Sequence, residues 1–321
     1  MADFTIPTVD LSPFFEDPGD QSRQKKADDA IEIIREACSH YGFFQVVNHG
    51  VPEDLMRRAL ELSRAFFECS YEDKLKCRPY PGAPLPAGYS KQPDNSPDKN
   101  EYLLMFPPGS SLNIYPDYPP ELREVLEQVF TYMAKTGMLL EDILNECLGL
   151  PKNFLRGYNA DRSWDFMVAL RYFEATEHEN NGISEHEDSN CITFVFQDEV
   201  GGLEVRKNGV WIPLVPKKGH LVVNIGDVIR VLTNNKFKSA THRVVRSKGQ
   251  FRHSYAFFYN LQGDKVVEPL PQFTSDIGEL PKYRGFLYKE YQQLRLRNKT
   301  HPPSRPEDVI HITHYAIPTA L

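Results

Sequence analysis

Between residues 164 and 259 the chain breaks into short runs rich in β-branched and aromatic residues: FMVALRYF, CITFVF, GLEVRK, VWIPLV, HLVVNI, VIRVL, THRVVR and FRHSYAFFY. Glycine or polar clusters part them, at Gly201-Gly202, Asn208-Gly209, Gly219, Gly226-Asp227, Asn234-Asn235 and Lys248-Gly249. A parallel sheet needs a helix between successive strands, and no helical pattern fits these gaps. The spacing therefore predicts an all-β sandwich or barrel.

Helical patterns flank this block. Ala27, Ile31, Ile34, Cys38 and Tyr41 recur at helical spacing, Gly42 supplies a stop, and FFQVVN at 43–48 follows as a buried strand. A second helix is expected to begin near Pro52, with Leu55, Ala59, Leu62 and Phe66 on one face. A long one is expected at about 120–147, and the segment 280–298 reads as a helix packed outside the barrel. Residues 79–89 carry too much proline and glycine for regular structure. The chain thus divides into a mostly helical region at 1–160, a β core at 161–275 and a helical extension at 276–321.

A net charge of -7 argues against a general grip on nucleic acid or on an anionic membrane surface. Five scattered cysteines without a C-x-x-C pair suit buried thiols in a reducing compartment better than a disulfide framework or a zinc site. The N-terminal segment has no basic region followed by an apolar run, and no stretch reaches the length of a membrane span. The expectation is a cytoplasmic monomer that takes a small-molecule substrate.

The chemistry starts at His186-Glu187-Asp188, beside the run CITFVF. In extended chain, residues two apart share a face, so His186 and Asp188 point together while Glu187 faces outward, with little effect expected on metal binding. His242, several strands later, completes two histidines and a carboxylate. That set leaves positions open for non-haem iron(II) oxygen chemistry, although hydrolytic zinc uses the same donors. An H-x-D triplet alone arises often by chance. The other histidines, among them His253 and His301, take ordinary structural roles.

Arg252 and Ser254 come shortly after His242 and also share a strand face. An arginine inside a barrel needs a carboxylate partner, and its planar fork suits a bidentate pair. The joint pattern of H-x-D, a distal histidine and R-x-S is far more restrictive than its parts. It favours iron, with a pocket for one end of a dicarboxylate.

With these motifs the sequence resembles the plant-type 2-oxoglutarate- and iron(II)-dependent dioxygenases, in the superfamily that includes isopenicillin N synthase. IPTVDLS, YGFFQVVNHGVP, GGLEVRKNGVWIPLVP and NIGDVIRVLTNNKFKSATHRVV carry the likeness. The resemblance implies a double-stranded β-helix, or jelly roll, with flanking helices. It implies Fe(II) on His186, Asp188 and His242, 2-oxoglutarate on Arg252 and Ser254, O₂ as cosubstrate and ascorbate as a reductant. Relatives often carry N-Y-Y-P before the metal strand. Here the stretch is Arg171-Tyr172-Phe173-Glu174, and Tyr172 is the surviving candidate contact.

For the substrate pocket, Tyr102, Leu104 and Phe106 share one strand face, and Met167, Ala169, Phe258 and Asn260 are further candidates. The reaction expected is hydroxylation, desaturation, demethylation or ring closure of a small, apolar metabolite or hormone. Two alternatives stay open at this point: an iron oxidase of the same fold acting without 2-oxoglutarate, and a non-catalytic jelly-roll binding protein.

Overall fold

The computed structural model describes residues 5–15, 21–80, 86–300 and 305–318. His301, the first residues of the chain and the middle of the proline-rich stretch at 79–89 lie outside the described residues. Twelve strands build the core: β1 (Thr8–Asp10), β2 (Phe43–Val47), β3 (Gly88–Lys91), β4 (Asn100–Met105), β5 (Phe166–Tyr172), β6 (Asn181–His186), β7 (Ile192–Gln197), β8 (Leu203–Lys207), β9 (Val210–Pro213), β10 (Leu221–Ile225), β11 (His242–Val245) and β12 (Arg252–Tyr259). Around them lie α1 (Gln21–His40), α2 (Glu53–Glu68), α3 (Tyr71–Leu75), α4 (Leu122–Cys147), α5 (Phe154–Tyr158), α6 (Asp227–Leu232) and α7 (Tyr288–Thr300).

The strands form a larger sheet, ordered β1-β2-β10-β7-β12-β5-β4-β3, and a smaller one, ordered β6-β11-β8-β9. Only β1 and β2 pair in parallel; the other pairs within both sheets are antiparallel. This is the double-stranded β-helix. Alternation along the larger sheet sorts its side chains into two layers. Met167, Ala169, Phe194, Tyr255 and Phe257 join Phe66, Phe67, Val129, Phe130 and Met133 of α2 and α4 in one core. Phe130 meets Phe257 edge-on at 4.9 Å, and the Tyr255 hydroxyl donates to the Ala59 carbonyl at 3.0 Å. Leu104, Val168, Leu170, Tyr172 and Val222 face the other way and meet Leu203, Val205 and Val244 of the smaller sheet.

Several expectations need correction. VIRVL is the helix α6, because Gly226 lets the chain turn out of β10 and Asp227 opens a helical turn. A strand also forms at the polar segment 181–186, for which no element was expected, with little apolar patterning since it borders a polar site. Gly88 to Lys91, which begin within the stretch expected to be irregular, pair with β4. The C-terminal helix starts only at Tyr288, and its Tyr291 and Gln292 are buried. All five cysteines are free, and among the described residues no helix is long and apolar enough to cross a membrane.

Candidate active site

The antiparallel pairing of β6 and β11 sets His186 directly opposite His242, with ring centroids 4.3 Å apart. Asp188 lies two residues beyond the end of β6, in the turn into β7. One ligand atom from each of the three comes within 4.8 Å of the others, and among the described residues no other group of three such side chains converges this way.

Backbone carbonyls fix both imidazoles. Nδ1 of His186 lies 2.8 Å from the Ser184 carbonyl, and Nδ1 of His242 lies 3.1 Å from the Ala240 carbonyl. A carbonyl only accepts, so each Nδ1 carries a proton and Nε2 is the ring atom turned toward Asp188. The Nε2 atoms stand 3.5 Å and 3.8 Å from the Asp188 carboxylate. Phe43 packs edge-on against the His242 ring at 5.3 Å.

Asp188 is held as firmly. Its Oδ2 accepts from Thr193 Oγ1 at 2.6 Å and from Asn224 Nδ2 at 2.8 Å, while Oδ1 faces the His186 imidazole. Burial alone would raise this carboxyl group, but the adjoining His242, His186 and Thr193 outweigh it and hold it well below the usual carboxylate range. The NIGD run now has a physical role. Asn224 orients the carboxylate, and the Asp227 N–H donates to the Asp188 carbonyl at 2.7 Å. Gly226 has no room for a side chain, because a Cβ there would sit 2.1 Å from the Asn190 carbonyl oxygen.

Deeper in the sandwich, Arg252 is 2% exposed. One terminal nitrogen donates to Ser254 Oγ at 3.2 Å, the other to Gln197 Oε1 at 2.7 Å, and Nε has no hydrogen-bond partner. The guanidinium lies 4.6 Å from the centre of the Tyr172 ring. Among the described residues, no carboxylate lies within ion-pairing distance of Arg252. A buried cation without a counter-ion is costly, so the site asks for an anionic ligand. Gly182 keeps the Tyr172 ring in place by lacking a side chain; a Cβ there would stand 2.9 Å from the ring.

One cavity of ≈ 250 Å³ joins these groups, bounded by all three candidate ligands, Arg252, Ser254 and Tyr172. Tyr102, Leu104, Phe258 and Asn260 also line it. Met167 and Ala169 do not: they project from the opposite face of β5 into the helix-packed core, and Phe166, Val168 and Leu170 take the cavity positions. The correction is one of strand phase. Phe106 shares the face of Leu104 but lies behind Phe166, 6.4 Å away ring to ring, and does not reach the cavity. His253, as expected, points the other way, toward Phe67 and Asp198.

Sequence reasoning missed Thr193 and Asn224, which hold Asp188 from behind, and Gln197, which holds Arg252. It also missed Gln292, Arg295 and Leu296 of α7, which close one end of the cavity. The i, i+3, i+4 spacing of these three residues was the available signal. Two imidazoles from adjoining strands and one carboxylate from the turn between β6 and β7 leave several coordination positions open, as a redox metal that also binds a chelating cosubstrate requires.

Comparison with known proteins agrees with this geometry. Residues 164–261 match the family model of the 2OG-Fe(II) oxygenase superfamily, and residues 6–122 match the N-terminal model of non-haem dioxygenases in morphine synthesis. A flavonol synthase/flavanone 3-hydroxylase of Matthiola incana is 30% identical over 279 residues, covering 83% of this chain and 94% of that one. A 2-oxoglutarate-dependent dioxygenase of Oryza sativa subsp. japonica is 29% identical over 318 residues, covering 97% and 91%. Among solved structures, JOX2 in complex with 2OG, Fe and JA superposes with a TM-score of 0.83 at 28% identity, covering 98% and 90%. The rice dioxygenase for auxin oxidation gives 0.76 at 25%, covering 98% and 100%.

Proposed function

Because this chain belongs to the 2-oxoglutarate- and iron(II)-dependent oxygenase superfamily, we propose that His186, Asp188 and His242 hold its iron. The protein is a 2-oxoglutarate-dependent dioxygenase of the plant type. Iron(II) bound with 2-oxoglutarate and O₂ supplies the oxidising chemistry, with 2-oxoglutarate ending as succinate and CO₂. The observation that carries the assignment is Arg252: a buried guanidinium without a carboxylate partner among the described residues, facing the same cavity as the three ligands.

In this reading Arg252 and Ser254 take the distal carboxylate of 2-oxoglutarate, and Tyr172 supports the guanidinium from its ring face. Thr193 and Asn224 hold the Asp188 carboxylate so that one oxygen stays directed at the metal. Leu104, Phe166, Val168, Leu170, Val195 and Phe258 give the remaining wall a large apolar part, and Phe166 stacks on Phe258 at 4.5 Å. This lining supports a small, largely apolar substrate with a planar part, positioned so that one C–H bond faces the iron. Relatives named for flavonols, jasmonate and auxin belong to that size class. A panel of such compounds, scored by succinate release above the background without substrate, tests the reading. At least one planar apolar compound is expected to raise succinate and yield an oxidised product. Stimulation confined to strongly polar compounds would remove the substrate assignment.

A further inference from the structure

We propose that Glu187, between the two candidate ligands of the β6 turn, is a positioning residue that braces the metal site through Thr241 and Arg295. The inference rests on the assignment of iron to His186, Asp188 and His242. Those ligands come from two chain segments joined by the β6–β11 ladder, and that ladder is irregular, with register shifts on either side of Val244.

Glu187 adds links that the ladder lacks. Strand alternation directs its side chain away from Asp188, and Oε1 there accepts a hydrogen bond from Oγ1 of Thr241, the residue before His242. Its carbonyl accepts from the guanidinium of Arg295 on α7. Arg295 is itself anchored to the Ile310 carbonyl and to His311 Nδ1, each at 3.2 Å, and Asn298 Nδ2 donates to the same Ile310 carbonyl at 2.7 Å. One residue therefore ties the His186–Asp188 turn to the His242 segment through its carboxylate and to the C-terminal segment through its carbonyl. A parallel tie runs from the Tyr291 hydroxyl to Asp227 Oδ2 at 2.7 Å and from the Asp227 N–H to the Asp188 carbonyl at 2.7 Å. Bonds with a charged partner are stronger than neutral ones. Groups that orient metal ligands from behind change metal affinity by about 10–100-fold when removed.

The test is titration of the full chain with Co(II) and, without oxygen, with Fe(II) and 2-oxoglutarate. Thr241→Val, Arg295→Met, Glu187→Gln and Asp188→Ala are compared with the parent. Thr241→Val and Arg295→Met are expected to weaken metal binding about tenfold or more and to shift the visible band of the iron–2-oxoglutarate complex. Glu187→Gln keeps an oxygen acceptor but loses its charge, so its metal affinity should fall between the parent and Thr241→Val, and an affinity below that of Thr241→Val would overturn the brace. Parent affinity and an unmoved band in both Thr241→Val and Arg295→Met overturn the brace. Metal retained by Asp188→Ala would instead overturn the iron assignment beneath it. If Arg295→Met does not fold, Thr241→Val, which exchanges a hydroxyl for a methyl, decides alone.

Discussion

At the scale of single residues, Arg252 is the most exacting feature of the site. A guanidinium that is 2% exposed, with Ser254 and Gln197 as neutral partners, is incomplete until an anion arrives. Removing one partner of such a buried charge pair costs about 2–5 kcal/mol, so Arg252→Ala should weaken 2-oxoglutarate binding by about 30-fold to several thousandfold. Equilibrium titration without oxygen measures this, and an unchanged affinity would remove the role. Thr193 makes a second case. Thr193→Val deletes one of the two donors to Asp188 Oδ2. The expected result is metal binding weakened about tenfold with 2-oxoglutarate contacts otherwise intact, read by Co(II) titration.

At the scale of elements, β5 shows what alternation decides. Val168 faces the cavity and Met167 faces α2 and α4, though both are buried. Met167→Ala should therefore lower stability by about 2–5 kcal/mol through a core cavity and leave 2-oxoglutarate affinity unchanged. Val168→Phe should narrow the ligand cavity and weaken 2-oxoglutarate binding with a smaller change in Tm. Thermal melts and ligand titrations on both variants separate the two faces, and the opposite pattern would reverse the assigned phase. The same strand shows where sequence reading stops. His186, Asp188, His242, Arg252 and Ser254 were legible because their residue types are rare in combination and their spacing fixes a shared face. Met167 and Ala169 were misassigned because a run that is apolar on both faces carries no alternation to set its phase. β6 was not named as a strand because its neighbours are polar, and α6 was mistaken for one because VIRVL is β-branched. The contribution of α7 was legible only in part: spacing puts Gln292, Arg295 and Leu296 on one helix face, but where that face docks depends on the return of the C-terminal segment.

At the scale of the whole molecule, burying carboxyl groups to support this fold leaves a pH signature away from the metal. Asp165, just before β5, is pushed up from 3.8 to about 7 by burial, with Arg162 and the Asn260 N–H opposing. The folded chain therefore holds that proton more tightly than the unfolded chain. The associated stability is full below about pH 4 and is lost as pH rises through about 7. Asp165→Asn should accordingly gain in Tm relative to the parent as pH climbs across that window. A constant difference in Tm from pH 4 to 8, checked by melts in matched buffers, would show that burial does not shift this group.

The larger sheet, the smaller sheet and the helical layers together bring three candidate metal ligands and one arginine, without a carboxylate partner among the described residues, to a single cavity. The measurement that tests this most directly is anaerobic titration of the chain with Fe(II) and then 2-oxoglutarate, followed by visible absorption. One iron per chain is expected, with a weak charge-transfer band that appears only with 2-oxoglutarate, no iron in Asp188→Ala, and a band reached only at much higher 2-oxoglutarate in Arg252→Ala. A chain that takes up no iron on reconstitution, or a band equally strong in both variants, would contradict it.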